Sequence, residues 1–518
     1  MPKWLDNAVF YEIYPQSYQD TNADGIGDFQ GIINRLDYIR GLGCNALWIN
    51  PCYDSPFTDA GYDVRDYYKA APRYGTNEDL KRLFGEAHRR GMHVILDLVP
   101  GHTSYDHPWF LESMKPEKNE YTDRYIWSDS IWDNMSGVTG ITGALRGISQ
   151  REGCVGVNYY STQPALNYGF EHPEKPWQLP VDSEGAVATR EEIKNVMRFW
   201  LGMGCDGFRV DMAGALVKND PDKSGCIRLW QNFREFLDRE FPEAAIISEW
   251  GQPDVSLAAG FHMYFLLHFG PSHYNDLFRC KEPFFSRRGR GNAGEFAKKY
   301  NEYYSSAAGR GLICIPSGNH DALRMRHFLD VEEMKIAFAF LMSMPGAPFI
   351  YYGDEIGMRY LDGIKSVEGG YERTGSRSPM QWDDTVNAGF SSAKAEDLYI
   401  MIDPSPDRPT VKMNMEDESS LYAEIKRQIN VRMQHKALQS DGAFEFLYVK
   451  ENAYPLVYKR SSDGQTIVAA INPSGSAVTV DIGLNADGRE IYSYGGISKL
   501  ASGRLTMPSG SAAYFSID

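Results

Sequence analysis

Along the first 350 residues, short apolar runs rich in β-branched and aromatic residues alternate with longer amphipathic stretches. The runs are Ala8–Tyr14, Ala46–Asn50, His93–Val99, Gly207–Ala213, Ala245–Trp250, Leu312–Ser317 and Pro348–Tyr352. A further, weaker run lies near His262–Leu267. Between them, Phe29–Gly41, Asn77–Arg90, Thr189–Gly202 and Arg228–Phe241 carry the helical period. Strand–helix alternation over this length predicts an α/β fold with a parallel sheet inside and helices outside. Several runs end on Asp, Glu, His or Arg. In a (β/α)8 barrel such strand ends converge on one face, where active sites form.

Two regions break the alternation. Residues 103–162 are rich in Gly, Ser, Asp, Tyr and Trp with little helical period. They read as an excursion after the third strand, too long to be a mere connection. After the amphipathic stretch Leu421–Ala437 the chain turns to short alternating strands such as Leu456–Lys459, Thr466–Ile471 and Ala477–Ile482, with turns at Asp463-Gly464 and Pro473-Ser474-Gly475. The expected organisation is a barrel from 1–102 and 163–437, a short excursion domain at 103–162, and a C-terminal antiparallel β-sandwich at 438–518.

The 518 residues hold 53 Lys plus Arg against 69 Asp plus Glu, a net charge of −16. That balance argues against nucleic acid and against an anionic membrane surface as partners. Seven cysteines, with no C-x-x-C pair, predict reduced thiols in a cytoplasmic setting. No apolar run has the length of a membrane span, and the start shows no signal-peptide pattern. Oligomeric state is not legible. The aromatic share of 13% suits sugar recognition as well as a large core.

Three acids follow strand-like runs: Asp211 in GFRVDMA, Glu249 in AIISEW and Asp321 in SGNHD. Singly, each reads as a turn or cap residue. Together with DLVPGH (97–102), GFRVD (207–211), SEW (248–250) and NHD (319–321), in that order, the chain resembles the α-amylase family of glycoside hydrolases. YEIYPQSYQDTNADGIGDFQGI (11–32), GYDVRDY (61–67), QPALN (163–167), YYGDEIGM (351–358) and SPMQWDDTVNAGF (378–390) are similar to the branch holding oligo-1,6-glucosidase, α-glucosidase and trehalose synthase.

The resemblance implies a retaining double displacement on small neutral α-glucosides. Asp211 is then the nucleophile, Glu249 the general acid and base, and Asp321 the group that grips sugar hydroxyls. Glu249 needs a raised pKa, from burial or from the neighbouring carboxylates. Arg209, two residues before Asp211, points to the same side of a strand and is expected to keep Asp211 ionised. His102 and His320 look like the family's transition-state histidines, and Tyr62 like its aromatic platform. Asp59 and Arg377 match a pair that closes the pocket around a terminal glucose in exo-acting relatives. Met212, where α-1,6-specific relatives carry Val, points to α-1,4 linkages.

Asp20, Asn22, Asp24 and Asp28, with the carbonyl of Ile26, resemble a calcium loop; hard-cation oxygen donors alternate there with turn residues. A structural Ca²⁺ is expected, with Mg²⁺ or an ion-free Asx-turn loop as alternatives. Gly101 and Ala165 replace an Asn and an Asp that help many amylases hold a second calcium, so that second site is not expected. No organic cofactor is implied. The competing functions are transglucosylation or isomerisation, as in trehalose synthase or amylosucrase, endo-acting amylase action, and a non-catalytic amylase-like subunit.

Overall fold

The computed structural model describes residues 1–517, and of Tyr371 the backbone alone. Eight parallel strands form one sheet: β1 (Phe10–Ile13), β2 (Ala46–Ile49), β3 (His93–Leu98), β4 (Gly207–Val210), β5 (Ala245–Ser248), β6 (Met263–Phe265), β7 (Leu312–Cys314) and β8 (Phe349–Tyr351). Their spatial order, β7-β6-β5-β4-β3-β2-β1-β8, follows the chain around a ring. The seam between β7 and β8 is closed just beyond β7, where Pro316 bridges Phe349 and the Ser317 amide donates to the Phe349 carbonyl at 2.8 Å. The weak sixth run is a strand of three residues.

The strands are buried along their whole length, apart from His93 at the start of β3, and so read as continuous apolar runs. Local signals set the helices between them. Asp28 caps Phe29–Leu42 by accepting from the Gly31 amide, and Gly43, at φ 114°, ends that helix in the left-handed region. Thr76 and Asp79 form a reciprocal capping box at the start of Asn77–Arg89. The third and fourth expected helices begin earlier than the pattern indicated, as Glu184–Met203 and Ser224–Glu240.

The excursion carries a short helix, Pro108–Ser113, and a hairpin pairing Gly143–Arg146 with Cys154–Val157. Its Ile126, Met135 and Val138 pack in a small apolar core with Ala165 and Phe170 from the chain just beyond it.

The C-terminal part is a sandwich. A five-stranded antiparallel sheet is built from β9 (Ala443–Tyr448), β10 (Leu456–Ser462), β11 (Gln465–Asn472), β13 (Arg489–Tyr494) and β16 (Ser511–Ile517). A smaller sheet pairs β12 (Val478–Asp481), β14 (Lys499–Ala501) and β15 (Arg504–Met507). Val457, Val468 and Phe515 from the first meet Leu500, Leu505 and Met507 from the second. Buried Arg460 joins the sandwich to the barrel, donating to the carbonyls of Ser343 and Gln439 at 2.6 Å each. No described helix is long and apolar enough to cross a membrane. All seven cysteines are free.

Candidate active site

At the strand C-terminal face a cavity of about 780 Å³ opens, lined by Asp59, Tyr62, His102, Asp211, Glu249 and Asp321 among others. Barrel register explains its floor. Asp97 of β3 and Arg209 of β4 are register partners, so their side chains leave neighbouring strands side by side. Arg209, only 2% exposed, donates through Nη1 to Asp97 Oδ1 at 2.6 Å and to Asp211 Oδ1 at 3.1 Å. Its Nη2 lies 2.9 Å from Glu249 Oε1. One guanidinium thus holds three carboxylates, and Trp48 Nε1 satisfies the other oxygen of Asp97 at 2.8 Å.

Asp211 and Glu249 meet on this guanidinium, Asp211 at Nη1 and Glu249 at Nη2. Burial, and then the Glu249 carboxylate, push the Asp211 pKa well above its ordinary value, outweighing Arg209. The upward displacement thus falls on the residue expected to stay ionised, because a buried carboxyl beside a second one favours a shared proton. Met212, at φ 45°, turns the chain sharply after Asp211 and presents its amide to Glu249 Oε2 at 3.2 Å.

Asp321 sits among cations. Its Oδ1 meets Arg373 Nη1 at 2.6 Å and Arg377 Nη2 at 3.0 Å, and its Oδ2 lies 3.2 Å from His320 Nε2. Burial opposes ionisation, but His320, Arg377 and Arg373 together hold its pKa well below the usual carboxylate range.

The expected pairing of Asp59 with Arg377 is corrected. The ion partner of Asp59 is Arg373, with Nη2 3.4 Å from Oδ1, while Gln163 Nε2 donates to Oδ2 at 2.7 Å. Arg377 lies deeper, donating from Nε to the His320 carbonyl at 2.9 Å, with its guanidinium over Tyr14. Both arginines fall in one short 3₁₀ helix, Tyr371–Arg377, four positions apart, so the sequence alone does not say which reaches Asp59.

His102 lines the cavity with both ring nitrogens engaged: Nε2 faces the Tyr62 carbonyl at 3.1 Å and Nδ1 the Asn158 amide at 3.2 Å. Burial lowers its pKa to about 4, so the ring is neutral. His320 is fully buried behind the wall, not in it. Its Nδ1 meets Glu12 Oε1 at 2.9 Å and its Nε2 the Tyr62 hydroxyl at 2.7 Å. Tyr62 stacks against it, centroids 5.5 Å apart. The outer cavity adds Trp250, His268, Phe269, Phe328 and Met212.

Near Gly101, a Cβ would approach Asn158 Nδ2 to 2.7 Å, which leaves no room for a longer side chain there. Beside it lies Lys218, fully buried. Its ammonium donates to the Gly140 carbonyl at 2.8 Å and Asn158 Oδ1 at 3.3 Å from the excursion, and to the Ala215 carbonyl at 2.5 Å from the barrel. Burial lowers its pKa to about 7. A lone lysine seven residues after Asp211 carries no sequence signal for this role.

In the Asp20–Asp28 loop the carboxylates face backbone amides. Asp20 accepts from Asn22, Ala23 and Gly25 at 2.8–3.0 Å, Asp24 from Ile26 at 2.9 Å, and Asp28 from Thr21 and Gly31 at 2.8 and 2.7 Å. Among the described residues no three His, Cys, Asp or Glu side chains converge as metal ligands.

Comparison with known proteins places this geometry. The α-amylase catalytic-domain family model matches residues 12–441. An oligo-1,6-glucosidase of Heyndrickxia coagulans is 30% identical, covering 93% of this chain and 94% of its own. The trehalose synthase/amylase TreS of Mycobacterium tuberculosis is 31% identical, over 93% and 84%. The trehalulose synthase MutB of Pseudomonas mesoacidophila superposes with a TM-score of 0.81 at 25% identity, over 99% of each chain. A MutB variant solved with its substrate sucrose superposes at 0.82, also at 25% identity and over all of both chains. A barrel with three acids around one cavity, matched by a family model over most of its length, leaves one reading: the chain belongs to the α-amylase family of glycoside hydrolases.

Proposed function

We propose that the protein is an exo-acting α-glucosidase that releases glucose from the non-reducing end of short α-glucosides with retention. The observation that carries this reading is the Asp211–Glu249 pair on one guanidinium at the cavity floor. Carboxyls held on Nη1 and Nη2 of one guanidinium are close neighbours, which favours double displacement, with its separation of about 5–5.5 Å, over inversion, where about 6.5–9.5 Å is needed. Asp211 attacks the anomeric carbon while Glu249 delivers a proton to the leaving oxygen. Glu249 then takes a proton from the water that opens the glucosyl ester. The shared proton of the buried pair supplies the starting protonation, and Asp321, fixed by two arginines, binds sugar hydroxyls. The Asp59–Arg373 pair supports exo action, since it lies at the cavity wall where a longer chain would have to pass.

Met212, lining the cavity beside Glu249, supports α-1,4 preference. Likeness to TreS and MutB supports a second reading, in which a sugar rather than water accepts the glucosyl group. A panel of maltose, isomaltose, trehalose, sucrose and maltodextrin decides between them: glucose as main product from maltose supports hydrolysis, and an isomeric disaccharide supports transfer. No conversion of any member would remove both. Calcium in the Asp20–Asp28 loop belongs to the same proposal. It rests on the all-oxygen chemistry of Asp20, Asn22, Asp24, Asp28 and the Ile26 carbonyl; the ion would have a structural role there.

A further inference from the structure

Glu12 stands in the middle of β1, in the barrel interior, and is completely buried. Nothing in the reaction proposed above requires it. Its Oε1 lies 2.9 Å from His320 Nδ1 and accepts from Asn50 Nδ2 at 3.2 Å; its Oε2 has no partner. On the opposite edge of the same ring, Nε2 faces Asp321 Oδ2 at 3.2 Å and the Tyr62 hydroxyl at 2.7 Å. Each ring nitrogen therefore has a carboxylate oxygen within 3.2 Å, beside a neutral neighbour: the Asn50 amide nitrogen 3.0 Å from Nδ1 and the Tyr62 hydroxyl at Nε2. A neutral imidazole donates from one nitrogen only; donation from both requires the cation. The Tyr62 hydroxyl also accepts from Arg209 Nη1 at 3.3 Å, which fits its acting as acceptor towards His320 as well.

We propose that Glu12 is a positioning residue: its carboxylate holds the buried His320 ring as an imidazolium, which in turn fixes Asp321 and the Tyr62 hydroxyl at the cavity wall. The inference rests on the functional reading only for its kinetic consequence.

The ring's other charged and titratable surroundings are Asp97 across the floor, Tyr14 stacked parallel at 6.3 Å, Arg377, which donates to the His320 carbonyl, Arg209 behind the Tyr62 hydroxyl, and His268, whose charge would oppose that of His320. Around Glu12 stand Asp97, Tyr274 and Tyr351, none of them a cation. Burial disfavours the charged ring, but Asp321 and Glu12 raise its pKa to about 9. The cation is thus present at neutral pH and lost as pH rises through that value. In Glu12→Gln the amide oxygen still accepts from Nδ1, but the charge is gone.

The test is a ¹³C histidine titration of the whole protein, with the His320 resonance assigned by its loss in His320→Gln. In the wild type the ring should stay protonated at pH 7 and titrate well above it. In Glu12→Gln the midpoint should fall by one pH unit or more, and Glu12→Asp should restore most of the difference. If Glu12→Gln does not fold, Glu12→Asp decides: drawing the carboxylate back by one methylene should lower the midpoint by up to half a unit, and an unmoved midpoint there overturns the proposal. A neutral His320 in the wild type at pH 7, or an unmoved midpoint in Glu12→Gln, overturns the proposal. Kinetics add a second readout: on 4-nitrophenyl α-glucoside the alkaline limb of kcat/KM should move down with the titration, while activity at pH 6 stays within about threefold. A uniform loss at every pH would mean a merely structural residue. An inactive wild type would count against the α-glucosidase reading alone, and the titration would still decide on Glu12.

Discussion

Replacing Arg209 by Met removes the one cation shared by Asp97, Asp211 and Glu249. Met keeps the aliphatic stem but ends where the guanidinium begins, so the charge and its contacts with the three carboxylates are removed together. Stripping one partner from a buried ion pair typically costs about 3–5 kcal/mol, because the other partner is left uncompensated. Asp97 is fully buried and Asp211 nearly so, so the variant belongs at that end of the range. Expressed as a rate, a loss of that size in the transition state is about 100-fold to several thousandfold in kcat/KM.

The pH dependence sharpens the prediction. Without Arg209 the folded-state carboxyls hold their protons to higher pH than the unfolded value of about 4. A carboxyl whose folded pKa is raised contributes stability at low pH that is lost as pH rises through the folded value. Asp211 is already displaced upward in the wild type, by burial and then Glu249. The Tm deficit of Arg209→Met relative to wild type should therefore widen between pH 5 and pH 8, read by differential scanning fluorimetry in matched buffers. A deficit that is constant or shrinks over that range would refute the three-carboxylate account.

Asp211→Asn should lose at least about 10⁴-fold in turnover, the scale of deleting a nucleophile, while Tm at pH 8 holds or rises because a disfavoured buried charge has gone. Retained turnover would remove the proposed nucleophile. Arg373→Ala should raise KM for maltose about tenfold or more and relax discrimination against end-blocked maltodextrins; an unchanged KM would detach Arg373 from the sugar wall. Chelation should lower Tm by several degrees without changing kcat well below the transition, and an unchanged Tm would take calcium away from the Asp20–Asp28 loop.

Much of the barrel was legible because its strands are buried on both faces and therefore stand out as apolar runs ending on polar residues. The sixth strand is three residues long, so little apolar pattern was available to mark it. The helix starts at Glu184 and Ser224 were missed because their first turns hold small residues with little helical period and are set by local hydrogen bonds instead: Ser183 accepts from the Ala186 amide, and Asp220 from the amides of Gly225 and Cys226. At the site, Asp211, Glu249, Asp321, Tyr62 and His102 meet at one cavity as their motifs implied. His320 and Arg377 were expected to touch substrate, yet stand one layer back, behind the residues that line the cavity. Depth behind a wall is set by the barrel's cross-section, which a linear motif does not encode. The exchange of Arg377 for Arg373 at Asp59 is the same failure over four residues. Glu12 and Lys218 carried no signal, since a buried charge is defined by what surrounds it.

The Lys218 ammonium has a consequence for where such an enzyme operates. It rivets the excursion to the barrel from inside the polypeptide, so this fastening is synthesised with the chain. Citrate, phosphate or a metal-poor medium has no ion to withdraw from this fastening between excursion and barrel.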